Sequence, residues 1–126
     1  KLHLFVLLLF VAQSAASLIV SRAGAGTIFE IALKGKPSIL IPIPEEVSHD
    51  QKTNAYAYAR SGAGTVLEEN NFADGLLAAE ITRIMSDPAT YSSMQSAALS
   101  FAKNNAAQTL AIKVRASGRF IILKFD

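Results

Sequence analysis

The sequence predicts an α/β fold in which a Rossmann-like parallel sheet is flanked by helices. Short apolar runs alternate with helical patterns at the spacing of βαβ units. A glycine-containing turn joins the first such run to the first helix, and glycine or proline follows the early helical patterns where a helix should stop. The length of 126 residues is that of one ordinary domain.

The first strand and its loop lie at residues 18–21 and at the glycines that follow. Gly24 and Gly26 leave no side chain in the way, so a ligand could approach the main chain closely. The start of the next helix would offer unpaired N–H groups and the positive end of a dipole, which suit a phosphate. A tight turn that binds nothing explains this stretch equally well.

The helix after this loop is expected over residues 27–34, with Gly35 as its stop. Thr27 and Glu30 have the spacing of a capping box, in which the glutamate bonds back to the main chain. Position alone favours that role for Glu30 over the alternative, a carboxylate that accepts hydrogen bonds from a sugar diol.

The later elements follow the same rules. An almost wholly apolar run predicts a buried parallel strand at residues 38–43. A helix is predicted over residues 51–61 and a short strand over 65–67. Apolar stripes support two further helices, over residues 74–85 and from 88 onward. The last elements are a helix over 106–116 and a strand within 117–126 whose place in the sheet is not predicted. Because ligands bind beyond the carboxyl ends of parallel strands, the loops after the first two strands should share one binding rim.

The N-terminal residues 1–17 allow two interpretations. Their charged start, apolar centre and small-residue end are superficially those of a signal peptide. We favour a buried strand or helix of the same fold. The apolar run is too short to span a bilayer as a helix.

Composition and the polar residues exclude several functions. With 12 basic and 10 acidic side chains, the net charge of +2 gives no footprint for nucleic acid. The absence of Cys excludes disulfides and thiolate metal sites. The consecutive Ser48, His49 and Asp50 cannot form a catalytic triad by themselves, and no metal-ligand spacing occurs, so we expect no metal or cofactor. Arg22 could pair with a phosphate, and a solvated or ion-paired arginine explains it at least as well.

Three segments together resemble the MurG family of bacterial peptidoglycan N-acetylglucosaminyltransferases. They are residues 18–32, 35–42 and 51–55, which read LIVSRAGAGTIFEIA, GKPSILIP and QKTNA. The resemblance covers roughly residues 5–110 and falls in the C-terminal, donor-binding half of the two-domain GT-B fold. It implies transfer of N-acetylglucosamine from UDP to lipid I, giving lipid II with inversion at the sugar carbon.

The resemblance also implies which residues bind the donor. Four residues match the loop and helix start that hold the UDP diphosphate, namely Ala25, Gly26, Thr27 and Ile28. Glu30 matches the carboxylate that binds the ribose hydroxyls, which reverses the preference from position alone. Gln51 matches a glutamine that contacts the donor sugar, and Asn54 an asparagine of the same motif. Val6 matches the segment whose main chain reads uracil.

The sequence departs from the family after the uracil-reading segment, where residues 7–9 are all Leu and where Gln13 and Ser17 replace a usual Tyr and Asp. The donor domain's glycine-serine loop and the whole acceptor domain are absent from residues 1–126. In the family the acceptor domain supplies the catalytic base and the membrane-associated surface. We therefore expect a partial donor domain with no catalytic residue of its own, inactive alone, from an enzyme of cell-wall synthesis and cell division at the cytoplasmic face of the membrane.

Two other functions are compatible with the sequence. A donor-binding catalytic subunit of the dolichol-linked N-acetylglucosaminyltransferase would explain a chain without an acceptor domain, since that subunit works with a membrane-bound partner. A non-catalytic nucleotide-binding module is the other alternative, although retention of Glu30 and Gln51 argues mildly against it.

Overall fold

The computed structural model describes residue 4 and residues 15–47, 49–71 and 73–117, with only the backbone described for residues 49 and 107–117. The predictions for residues 1–3 and 5–14, for Ser48 and for residues 118–126 lie outside this part of the chain. Across the described helices, no stretch is both long and apolar enough to cross a bilayer.

The described sheet has three parallel strands in the order β1–β2–β3, which confirms the predicted fold class. Strand β1 is Ile19–Ser21, β2 is Ser38–Leu40 and β3 is Gly64–Val66. Strand β2 ends earlier than predicted because Pro42 has no N–H to donate to a ladder. The buried central strand is wholly apolar apart from Ser38, as a strand covered on both faces requires.

Within residues 19–117, as far as the structure describes them, four helices and one short 3₁₀ turn surround the sheet. Helix α1 is Ala25–Leu33, α2 is His49–Arg60, α3 is Leu76–Met85 and α4 is Pro88–Ser117, and the 3₁₀ turn is Glu69–Asn71. Gly35 and Gly62 follow α1 and α2 with φ of 63° and 89°, so both predicted glycine stops are confirmed.

Two predictions about the helices are wrong. Helix α1 begins at Ala25 with Gly24 as its N-cap, and no side chain caps it, so Thr27 and Glu30 do not form a capping box. The small residues before Thr27 extend the helix backward by two positions. The two helices expected after residue 88 are one continuous helix, since no glycine or proline interrupts that run.

The core lies on both faces of the sheet. On one face α1, α2 and the middle of α4 pack together, and the other face holds Ile39, Ile84 and Met94 from β2, α3 and the start of α4. The first cluster consists of Ile19, Ala23, Ile28, Ile31, Ala32, Leu40, Ala55, Tyr58, Ala63, Ala98 and Ala102. Most of these residues are small, so the helices can approach the sheet closely.

Tyr58 is the largest fully buried side chain of this core. Its ring meets that of Phe101 edge-on at 4.8 Å between centroids. A Cβ at Gly64 would lie 3.1 Å from the Tyr58 ring and 2.9 Å from Ser38 Oγ, which is why β3 begins with glycine. The hydroxyl of Tyr58 has no hydrogen-bond partner in the described part of the chain, and burial raises the pKa of this group.

Replacing the core residue Ile31 by alanine should show how much its packing, rather than its helix propensity, contributes to the free energy of unfolding. Ile31 is fully buried in α1, whereas Leu33 in the same helix is 56% exposed. We expect Ile31→Ala to lower the free energy of unfolding by about 2–4 kcal/mol, because it leaves a cavity. The matched Leu33→Ala should change it by less than about 0.5 kcal/mol. Urea denaturation followed by circular dichroism measures both, and equal losses would contradict this description of the core.

Tyr58→Phe should show the cost of the buried hydroxyl. At pH 7 we expect the free energy of unfolding to stay the same or rise by up to about 1 kcal/mol, because an unpaired buried group is removed. A tyrosine in water has a pKa of about 10, and burial raises the pKa of Tyr58 above this value in the folded state. In more alkaline solution the unfolded state therefore loses this proton before the folded state does. Wild-type stability should fall as the pH rises past about 10, and the variant should fall less steeply.

The control for this experiment is Tyr91→Phe. The Tyr91 hydroxyl donates to Ser17 O at 2.6 Å, so its removal should lower the free energy of unfolding at pH 7. Urea midpoints between pH 7 and pH 11 provide the comparison. A steeper alkaline loss in Tyr58→Phe than in the wild type would be incompatible with a buried, protonated Tyr58.

Candidate nucleotide-sugar site

The start of helix α1 has the geometry of an anion site. Its N-cap Gly24 is extended, with φ of −66° and ψ of 147°, and no side chain caps the helix. The first bond of the helical pattern runs from Ile28 N to Gly24 O at 2.9 Å, so the N–H groups of Ala25 and Gly26 precede the ladder. Ala25 is exposed, while the Ile28 side chain points into the core and is only 4% exposed.

Glu30 lies one helical turn after Gly26, on the same face of α1. It is 5% exposed, and its Oε1 accepts a hydrogen bond from Lys34 Nζ at 3.3 Å. This pair explains how a carboxylate can be buried here, since buried charges need partners. A carboxylate has about four acceptor positions, so one lysine does not exhaust it.

Gln51 joins the loops that follow β1 and β2. Its Oε1 accepts hydrogen bonds from Ala23 N and from Ile43 N, each at 3.1 Å. Gln51 is the third residue of α2, so the start of this helix is held against the glycine loop. The sequence predicted that these two loops share one rim, and the two bonds confirm that they meet.

Arg22 connects the ends of all three strands. Its Nη1 donates to the carbonyls of Ile41 at 3.2 Å and Pro42 at 3.4 Å, and its Nη2 forms an ion pair with Glu69 in the 3₁₀ turn after β3. Of the roles left open for Arg22, the structure shows the ion pair. Arg22, Ile41 and Glu69 line an open cleft of about 610 Å³, together with Val20 and Ser21.

A smaller and more acidic hollow of about 110 Å³ lies beside this cleft. It lies between the loop after β2 that contains Pro42 and Pro44, which we call the proline loop, and the segment after β3. Lys52 Nζ lies 3.5 Å from Glu68 Oε1 there, and the Tyr56 hydroxyl donates to Glu68. The Tyr56 hydrogen bond is the main reason that the pKa of Glu68 is lowered, and the same contact raises the pKa of Tyr56. Among the described side chains no three His, Asp or Glu residues are grouped to hold a metal ion.

The structure thus brings together most of the residues predicted for the site. Ala25, Gly26, Thr27 and Ile28 form the first turn of α1, with Glu30 one turn further on. Gln51 reaches the same loop through Ala23 N. The predicted residue Val6 lies outside the described residues.

Sequence reasoning missed the partners of Gln51 and Arg22. The bonds that Gln51 accepts from Ala23 and Ile43 span 28 and 8 residues, and those that Arg22 donates span 19 and 20. No local spacing signals such contacts. The only sequence signal for the ion pair of Arg22 was the presence of Glu68 and Glu69 shortly after β3.

The chain is similar to a known protein family and to several of its members. The glycosyltransferase family 28 C-terminal domain matches residues 11–110. In Rhizobium leguminosarum bv. trifolii, a UDP-N-acetylglucosamine–N-acetylmuramyl-(pentapeptide) pyrophosphoryl-undecaprenol N-acetylglucosamine transferase is 38% identical over 108 residues, which are 84% of this chain and 29% of that protein. The protein of the same name in Geobacter metallireducens is 42% identical over 104 residues, or 82% of this chain and 29% of that protein.

Among solved structures, the crystal structure of Acinetobacter baumannii MurG matches with a TM-score of 0.65 and 28% sequence identity, covering 84% of this chain and 30% of that one. The chain therefore spans less than a third of the length of these relatives. This similarity agrees with the Rossmann-like half of the fold predicted from the sequence.

Arg22→Gln should loosen the rim. It removes the ion pair with Glu69 and weakens the contacts to the two carbonyls after β2. We expect the free energy of unfolding to fall by about 1 kcal/mol, because the side chain is half exposed and such contacts are screened. Arg83→Gln is the matched control, since Arg83 is similarly exposed and, among the residues that the structure describes, bonds to Glu80 alone; it should cost less than about 0.5 kcal/mol. Urea denaturation at low salt compares the two, and identical losses would refute the rim role of Arg22.

Proposed function

Because this chain belongs to the glycosyltransferase family 28 C-terminal domain family, we propose that it provides the donor site of an inverting N-acetylglucosaminyltransferase that acts in peptidoglycan synthesis. In this proposal the donor is UDP-N-acetylglucosamine and the acceptor is the lipid-linked muramoyl-pentapeptide called lipid I. The observation that carries it is the meeting of the uncapped start of α1 with Gln51 on one rim.

The first turn of α1 would hold the diphosphate. The N–H groups of Ala25 and Gly26 and the positive end of the helix dipole favour a doubly charged anion. When the sugar–phosphate bond breaks, negative charge develops on the leaving UDP, and a preorganised helix start stabilises it without reorganisation. Thr27 and Ile28 complete this turn, with Ile28 anchoring it through its buried side chain.

Glu30 and Gln51 would select the rest of the donor. The Glu30 carboxylate has the acceptors that a ribose diol requires, and it lies on the same helix face as Gly26. The Oε1 of Gln51 is engaged by two main-chain groups, so its Nε2 donors are the atoms that could contact the sugar. Val6 is proposed to read uracil through its main chain.

The remaining functions belong to the complete enzyme in this proposal. A separate acceptor domain would supply the catalytic base, bind lipid I and attach the enzyme to the cytoplasmic face of the cell membrane. The chain would then serve cell-wall synthesis and cell division, while the 126 residues alone bind donor and turn nothing over. The names of the bacterial relatives support this function over the dolichol-linked alternative.

Calorimetric titration of the chain with UDP-N-acetylglucosamine tests the donor site. We expect saturable binding in the wild type and at least a tenfold loss of affinity in Glu30→Ala, since hydrogen bonds to a charged group contribute about 1.5–3 kcal/mol. Glu80→Ala is the control, because Glu80 lies in α3 and pairs with Arg83. A folded chain that binds no donor, or equal affinities in wild type and Glu30→Ala, would overturn the proposed site. Measurable sugar transfer by the isolated chain would refute the proposal that it binds the donor but catalyses nothing alone.

A further inference from the structure

The side-chain carbonyl of Gln51 occupies an unusual position for a residue at the start of a helix. At this third helical position a glutamine commonly reaches back to the N-cap of its own helix. Here Oε1 reaches outward and accepts from Ala23 N and Ile43 N, each at 3.1 Å. These two donors belong to different crossover loops, one after β1 and one after β2.

Of the two donors, Ala23 N depends more on this acceptor, since Ile43 is only partly buried. Ala23 is fully buried, so without Gln51 its N–H would lack both a protein partner and ready access to water. Because one oxygen serves both groups, a shift of either loop relative to the other would lengthen at least one bond. The contact therefore constrains the glycine loop directly before α1, where Gly24 and Ala25 set the direction of the helix start.

We propose that Gln51 is a positioning residue that clips the glycine loop to the proline loop and so presets the first turn of α1 for a diphosphate. The inference rests on the proposed function for its ligand, and it differs from a direct contact between Gln51 and the donor sugar. Loss of the clip would weaken the binding of UDP even without its sugar, whereas loss of a sugar contact would leave UDP binding unchanged. The two roles use different atoms, Oε1 for the clip and Nε2 for the sugar.

Amide hydrogen exchange of the unliganded chain tests the clip without any ligand. In Gln51→Met, which is similar in size but lacks the oxygen acceptor, the N–H groups of Ala23 and Ile43 should exchange at least tenfold faster. In Gln51→Glu, a carboxylate oxygen replaces the amide oxygen, so both groups should stay protected. Gln95→Met is the matched control, since Gln95 is a partly buried residue of α4 outside the site.

Binding of UDP without the sugar tests the consequence for the ligand. In Gln51→Met we expect the affinity for UDP to fall about tenfold, which corresponds to about 1.4 kcal/mol. Gln95→Met should bind UDP as the wild type does. Calorimetry at fixed salt measures all three proteins, and the unfolding midpoint of each shows that it is folded.

The outcomes separate the clip from the proposed function. Faster exchange and weaker UDP binding in Gln51→Met, with protection kept in Gln51→Glu, support the clip. Unchanged exchange in Gln51→Met overturns it, and so does faster exchange with unchanged UDP affinity. Weakening of UDP-N-acetylglucosamine binding alone, with UDP binding intact, would assign Gln51 to the sugar instead. If the wild type binds no UDP, the proposed function fails, and the exchange rates alone decide whether Gln51 clips the two loops.

Discussion

The rim of this domain depends on one oxygen atom that two loops share. Parallel strands bring their carboxyl ends to the same edge of a sheet, but this topology does not determine how closely the following loops approach each other. In this chain Gln51 Oε1 draws the Ala23 and Ile43 main chains together. Arg22 likewise joins separate loops, since it bonds to carbonyls after β2 and to Glu69 after β3. The site is therefore built largely from main-chain groups held by two long polar side chains.

This construction suits a site that uses no grouped metal ligands in the described residues. A helix start carries partial positive charge that is already oriented, so it can stabilise an anion without a cation and without the motion of a side chain. The helix must then be anchored firmly. Ile28 and Ile31 bury the underside of α1 against the sheet, and the small residues Ala32, Ala98 and Ala102 allow close helix packing below it.

The proposal that one domain binds the donor and another supplies catalysis agrees with the size of this chain. The chain covers less than a third of the length of its relatives, and its rim is open along the cleft beside Val20 and Ile41. In the proposal, a donor site on such an edge is completed by groups from the acceptor domain when a sugar is transferred. Binding and chemistry would then reside in different parts of the enzyme.

Neighbouring residues alone were enough to predict the strand and helix order, the parallel sheet, the glycine stops and the glycine loop before α1. These depend on local periodicity and on backbone angles that few residues adopt, so they can be read from neighbouring residues. The sequence also indicated that Glu30 and Gln51 matter, through resemblance to a family. The structure alone decided that α1 begins at Ala25 without a side-chain cap, that Glu30 pairs with Lys34, and that Gln51 and Arg22 bond across the rim. The bond between Gln51 and Ala23 and the bonds of Arg22 join residues far apart in the chain, and only the packing of the helices on the sheet brings these atoms within hydrogen-bonding distance.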